Sequence, residues 1–318
     1  GDDFVSRPID QHFKALTALG AKITRHPDRF EAETAGLQGA DIYFDTITSG
    51  GTINAMLAAV RAKGRTTLRN AAMDPEVVDT ANLLNRMGAR VRGAGTDTIR
   101  IDGVAHMQGC EHAIIPDRLI AGAFLIAAGA TGGSVTVQDV IPEHLQSCIA
   151  KLREIGLDIE TTASAVTASA TGQLRATRVR TAMYPGFATD LQQPLTALLT
   201  QAPGRSIVAD RIYPHRFQHA AQLQRMGARI KVRSGVALIE GGAHLRGNVV
   251  HASDIRAGIC LLIAGLVAEG TTTIGGVHHI ERGYEHIVED FRALGANVAL
   301  RPASESESAE ASLGGHYA

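Results

Sequence analysis

Leu84-Asn-Arg-Met-Gly-Ala-Arg-Val91 reads as the end of an amphipathic helix, a glycine, and the start of a strand. The glycine supplies the left-handed conformation that commonly closes a helix, and the apolar residue beyond it opens an extended run. The same reading returns at Leu16-Thr-Ala-Leu-Gly-Ala-Lys-Ile23 and Leu152-Arg-Glu-Ile-Gly-Leu-Asp-Ile159. It returns again at Leu223-Gln-Arg-Met-Gly-Ala-Arg-Ile230 and Phe291-Arg-Ala-Leu-Gly-Ala-Asn-Val298. The glycines stand at 20, 88, 156, 227 and 295, so the intervals are 68, 68, 71 and 68 residues. A fixed period of this kind means one supersecondary unit used repeatedly.

A second helix is expected in each unit, over 54–61, 119–128, 191–201 and 255–268, followed by strands at 66–69, 134–138, 206–209 and 271–274. Each repeat then holds two helices and roughly four strands. Ala121-Gly-Ala-Phe-Leu-Ile-Ala-Ala128 is apolar nearly all round, which calls for burial on every side. Ser134-Val-Thr-Val-Gln138 alternates instead, one face apolar and one polar. The expected fold is therefore α/β, built from repeated inside-out units with helices inside and sheets outside. A doubly wound sheet would carry continuous apolar strands.

Two domains are expected, 1–116 and 117–301, with the acidic Ser/Glu/Ala stretch 302–318 as a disordered tail. The chain opens at Gly1-Asp2-Asp3 and enters in mid-repeat, which points to an N-terminal truncation. A net charge of -1 gives no general attraction to nucleic acid or an anionic membrane, and 4% aromatics leave little for base stacking. The longest apolar run, 259–267, falls far short of the roughly 20 residues a membrane helix needs. No signal peptide is evident. Three unpaired cysteines (Cys110, Cys148, Cys260) suit a reducing cytoplasm and are read as buried and inert.

Several motifs in order resemble the enolpyruvyl transferases, and within them the UDP-N-acetylglucosamine branch. They are Arg7-Pro-Ile-Asp-Gln11, Asn70-Ala-Ala-Met-Asp-Pro-Glu-Val-Val-Asp-Thr-Ala-Asn82, Gly93-Ala-Gly-Thr-Asp97 and Ile115-Pro-Asp-Arg118. Pro185-Gly-Phe-Ala-Thr-Asp-Leu-Gln192, Asp254-Ile-Arg256 and His279-Ile-Glu-Arg-Gly-Tyr284 complete the set, and the resemblance runs from Gly1 to about Arg301. It implies transfer of the enolpyruvyl group of phosphoenolpyruvate (PEP) to the 3-hydroxyl of UDP-N-acetylglucosamine, with release of phosphate, at the entry to peptidoglycan synthesis. It also implies that a lysine, an asparagine and a further arginine of the site lie ahead of Gly1. This fragment alone should then be inactive.

Such a reaction needs a base for the hydroxyl, an acid for the PEP methylene and cations for phosphate and carboxylate. Asp190 matches the family's base; read without the resemblance, Thr189-Asp190 serves equally as a helix N-cap, worth about 1 kcal/mol. Arg7, Arg216, Arg256 and Arg282 match the arginines around PEP, whose planar forks suit carboxylate and phosphate. Arg7 should face the phosphate and the other three mainly the carboxylate. Asp2 stands where most members carry a reactive cysteine. It is read as the proton donor, with resistance to fosfomycin as the consequence; the plain alternative is a flexible loop end.

For UDP-N-acetylglucosamine, the resemblance places Arg7, Pro8, Ile9, Asp10 and Gln11 around the uracil and Thr46, Ile47, Thr48 and Ser49 along the diphosphate. Asp190 and Ile212 belong to the sugar end, and His12 is a weaker neighbour. Thr46-Ile-Thr-Ser-Gly-Gly-Thr52 departs from the family's usual Ser-Val-Gly-Ala-Thr, though its glycines could admit phosphate to backbone amides. No cofactor and no metal are called for, since arginines supply the positive charge. His144, His219, His251, His278 and His279 lack ligand spacing and are read as structural or surface residues. The altered loop keeps two alternatives open: a transferase acting on another nucleotide acceptor such as UMP, or a non-catalytic UDP-sugar-binding paralogue.

Overall fold

The computed structural model describes residues 8–302, which form two compact units, each with its own apolar core. Residues 8–115 and 183–185 make the first; 116–182 and 186–302 make the second. Asp2 and the 303–318 stretch lie outside the described residues, as does Arg7.

The first unit opens with α1 (Asp10–Ala18), which follows Pro8 and Ile9, and an antiparallel pair β1 (Lys22–Arg25) and β2 (Phe30–Glu33). A complete repeat follows: β3 (Asp41–Tyr43), α2 (Ser49–Ala59), β4 (Arg65–Arg69), α3 (Pro75–Arg86), β5 (Arg90–Arg92) and β6 (Thr98–Asp102). The sheet order is β3-β4-β6-β5, with the β3–β4 pair parallel and the rest antiparallel. α3 shows how locally the pattern acts. Pro75 occupies its first turn, Arg86 its last, and Val77, Ala81 and Leu84 recur on one buried face.

The second unit contains three repeats. α4 (Arg118–Thr131), β7 (Ser134–Gln138), α5 (Gln146–Ile155), β8 (Asp158–Thr161) and β9 (Ala165–Ser169) give a sheet ordered β7-β9-β8. β10 (Arg178–Arg180), α6 (Thr189–Leu199), β11 (Gly204–Ala209), α7 (Gln218–Arg225), β12 (Arg229–Arg233) and β13 (Val236–Gly241) repeat the complete pattern, ordered β10-β11-β13-β12 with β10–β11 parallel. β14 (Val249–His251), α8 (Ile255–Val267), β15 (Thr273–Gly275), α9 (His278–Glu281) and α10 (Ile287–Ala293) close the described chain.

The inside-out arrangement holds. α4, α6 and α8 pack on one another, and nine of the fourteen residues of α4 and nine of the eleven of α6 are buried. A Cβ at Gly122 in α4 would meet Leu191 of α6 at 2.8 Å, and one at Gly129 would meet Leu157 at 2.8 Å, so neither has room for a methyl group without displacement. The strands alternate: Ile99 and Ile101 of β6 and Val166 and Ala168 of β9 point inward between half-exposed or exposed neighbours. Each buried Leu or Ile of α4, α6 and α8 contributes about 1.5–3 kcal/mol. All five repeat glycines carry the positive φ the sequence called for: 97°, 97°, 110°, 96° and 93° at Gly20, Gly88, Gly156, Gly227 and Gly295.

The strand count departs from expectation. Among the described residues the repeats carry four, three, four and two strands, because 103–117 and 296–302 run without joining a ladder. Cys148 and Cys260 are buried, and burial pushes the Cys148 thiol up to about 12. Cys110, expected inside, is exposed within that strandless 103–117 segment. No helix among the described residues is long and apolar enough to cross a membrane.

Candidate active site

Asp190 sits in the first turn of α6 as the helix's second residue. Ala188 is the N-cap, so the capping role open to Asp190 in the sequence is not the one it takes. Its carboxylate instead accepts from Arg216 Nη1 at 2.5 Å and pairs with Arg256 Nη2 at 3.2 Å. Arg216 comes from the turn after β11, and Arg256 from the first turn of α8. Asp254 caps that helix, its Oδ1 accepting from the Arg256 and Ala257 amides at 2.9 and 3.2 Å, and lies 3.8 Å from Arg216 Nη2. Arg256 also reaches the buried Tyr284 hydroxyl at 3.5 Å. One cluster therefore joins three of the predicted residues or their partners from α6, the β11–α7 turn and α8.

The electrostatics follow from burial and pairing. Burial alone would raise the Asp190 carboxyl; the guanidiniums of Arg256 and Arg216 more than offset this and hold it below its ordinary value. Burial pushes the Tyr284 hydroxyl up to about 12, so it stays protonated at neutral pH. Asp190 keeps 29% of its side-chain surface exposed, whereas Arg216 keeps 3%. A partly exposed carboxylate is thus backed by two largely buried guanidiniums. Beside them His219, fully buried, is driven to a pKa of about 3 by burial and by Arg216, and its ring is neutral.

Ile212 lies in the turn between β11 and Arg216. Its N–H donates to Asp210 Oδ1 at 2.9 Å, as does the N–H of Tyr213. Arg282 ends α9, exposed, two residues before Tyr284.

The residues that the resemblance matched to uridine and diphosphate lie in the other unit, those described being 8–11 and 46–49. Gln11 is buried; its Oε1 accepts the Asp45 N–H at 2.9 Å and its Nε2 donates to Asp10 at 2.7 Å. His12 Nδ1 lies 3.0 Å from the Asn54 amide nitrogen in α2. Thr46 to Ser49 lead into α2, and the glycine-rich stretch read as a loop is half helix: Thr48 caps it, accepting the Gly51 N–H at 3.2 Å. The cap outweighs the poor helix propensity of Gly50 and Gly51. A Cβ at Gly51 would approach the Thr48 methyl to 2.5 Å, so the folded-over cap and the glycine belong together. Pro8 and Ile9 are exposed ahead of α1.

Sequence reading missed Asp210 and Tyr284, and it took Asp254 as part of a motif without a role. Asp254 and Tyr284 stand in quoted motifs two residues from arginines that were singled out. Asp210 had no local signal.

The family model for EPSP synthase (3-phosphoshikimate 1-carboxyvinyltransferase) matches residues 1–291. A protein of Listeria innocua named UDP-N-acetylglucosamine 1-carboxyvinyltransferase 2 is 50% identical over 301 residues, covering 95% of this chain and 71% of its own length. The chain belongs to this enolpyruvyl transferase family. A member of the same name from Geobacillus kaustophilus is 52% identical, covering 95% of the chain and 70% of its own. Among solved family members, the enolpyruvyl transferase NikO of Streptomyces tendae aligns with a TM-score of 0.87 at 26% identity, over 94% of this chain and 74% of that one. An EPSP synthase of Acinetobacter baumannii shares the fold, with a TM-score of 0.67 at 18% identity over 90% of this chain and 70% of its own.

Proposed function

We propose that the protein transfers the enolpyruvyl group of PEP to the 3-hydroxyl of UDP-N-acetylglucosamine and releases phosphate. The observation that carries this reading is Asp190, a partly exposed carboxylate held by Arg216 and Arg256. Relatives at 50–52% identity whose name states this activity support it.

In the proposed mechanism Asp190 takes the proton of the sugar hydroxyl as that oxygen attacks PEP. A carboxylate paired with two guanidiniums is a poor base. The PEP carboxylate, claiming donors of Arg216 and Arg256 together with Arg282, would relieve that pairing and raise Asp190 toward the basicity the step needs. Arginine forks then stabilise the charge that develops on phosphate and carboxylate, with Arg7 assigned to the phosphate. Asp2 is assigned the methylene proton, and a carboxyl there should resist alkylation by fosfomycin. The first turn of α2 offers backbone N–H groups and a positive helix end to the diphosphate, beside Thr46 to Ser49, with Pro8 to Gln11 at the uracil. Gln11 is spent on Asp45 and Asp10, so its role is to shape the uracil segment. This activity assigns the protein to peptidoglycan precursor synthesis in the cytoplasm.

The test is phosphate release from PEP by the full gene product with UDP-N-acetylglucosamine, UMP or shikimate 3-phosphate as acceptor. Turnover with the UDP-sugar alone is the expected result. Turnover with UMP alone, or with none of the three, would overturn the proposal.

A further inference from the structure

Asp210 is 1% exposed and sits immediately after β11. Its Oδ1 accepts the Thr181 hydroxyl at 2.8 Å and the Ile212 and Tyr213 N–H groups at 2.9 Å each; its Oδ2 accepts the Thr189 hydroxyl at 2.6 Å. Thr181 in turn accepts the Arg211 N–H at 2.9 Å. One buried carboxylate therefore ties the end of β10, the first residue of α6 and the turn running to Arg216.

We propose that Asp210 is a positioning residue that keeps Asp190 in register with Arg216 and Ile212 during enolpyruvyl transfer; this rests on the function proposed above. The matching place in the first unit shows what a structural role alone requires. There Asn70 follows β4 and donates a single hydrogen bond to the Phe44 carbonyl at 2.8 Å. A neutral amide suffices to close that strand end. A carboxylate buried after β11 is costly unless several donors satisfy it, and the donors recruited belong to the segments that carry the reacting groups. The Thr189 bond is the informative one. It joins the helix bearing Asp190 at its second position to the turn bearing Arg216, and a displacement of about 1 Å between such groups costs on the order of a hundredfold in rate.

Thr189→Val removes that bond while keeping the side-chain shape, and Thr189→Ser restores the hydroxyl. The Asp190 carboxyl, with Arg216 and Arg256 facing it and Asp254, Asp117 and Tyr284 around those arginines, would be titrated by 13C NMR in each variant. The expected result is an upward move of the Asp190 titration in Thr189→Val and wild-type behaviour in Thr189→Ser. In turnover, kcat should fall about ten- to a hundredfold in the valine variant with little change in KM for the nucleotide sugar. An Asp190 titration unchanged in Thr189→Val would overturn the proposal. Should that variant fail to fold, Thr189→Ala removes the same hydroxyl with less bulk and gives the same readout. The titration needs no turnover, so absence of phosphate release by the wild type would sink the proposed reaction and leave this test standing.

Discussion

Residues 41–102 and 178–241 are two copies of one frame that differ where their first helices begin. Both run strand, helix, strand, helix, hairpin, and both order their strands with a parallel first pair. Even an exposed cross-strand pair recurs, Arg65 opposite Asp102 and Arg205 opposite Glu240. Gly103 and Gly241 close the hairpins in the same way, each pressed on an alanine carbonyl (Ala62 and Ala202) where any Cβ would collide. The differences are concentrated at the carboxyl ends of the parallel strands. One copy starts its helix with a threonine cap and two glycines, leaving a polar, positive helix end. The other starts with a carboxylate clamped by arginines. Ladders and apolar faces specify the frame, and the residues beyond the strand ends are where the two copies part.

The comparison breaks most visibly at Asp190. Asp190→Ala should lower turnover about a thousandfold in a phosphate-release assay, whereas Thr48→Ala, at the corresponding helix start, should leave kcat within about threefold. Next comes pH. His219 has its proton affinity lowered from 6.5 to about 3, so the unfolded chain binds a proton that the native chain refuses. Stability from this group is present above pH 6.5 and lost at up to about 1.4 kcal/mol per unit as pH falls from 6.5 toward 3. His219→Leu should flatten that slope in urea titrations at pH 7, 6 and 5; an unchanged slope would place the acid sensitivity elsewhere. Thr48→Ala should cost about 1 kcal/mol of stability and raise KM for the nucleotide sugar, sharpening the assignment of that helix end to the diphosphate. The smallest effect belongs to the shared feature. Arg65→Gln and Arg205→Gln should each leave the melting temperature within scatter, since both pairs are solvent-exposed.

What could be read from the sequence follows the range of the interaction. The five helix-closing glycines were legible because each is a local demand of the backbone, and the buried helices because apolarity on every side has one remedy. Strand number was not legible, since whether 103–117 pairs depends on residues distant in the chain. The start of α2 was misplaced because Gly50 and Gly51 argue against helix locally, while the Thr48 cap argues for it more strongly. Arg216 and Arg256 are unremarkable arginines in isolation; only the motif resemblance singled them out, and only the fold brings them to Asp190. Asp210 escaped because its side-chain partners lie 21 and 29 residues away.

Helices inside and sheets outside also invert the usual order of protection against deuterium. In most mixed folds the central strands surrender their amide protons last. Here the slowest amides should belong to α6 and α8, enclosed by their neighbours, while β7 and β8, each with one face in water, exchange earlier. The last part of the described chain to yield is then the helical interior that anchors both Asp190 and Arg256, so the proposed catalytic site is fastened to slow-exchanging structure.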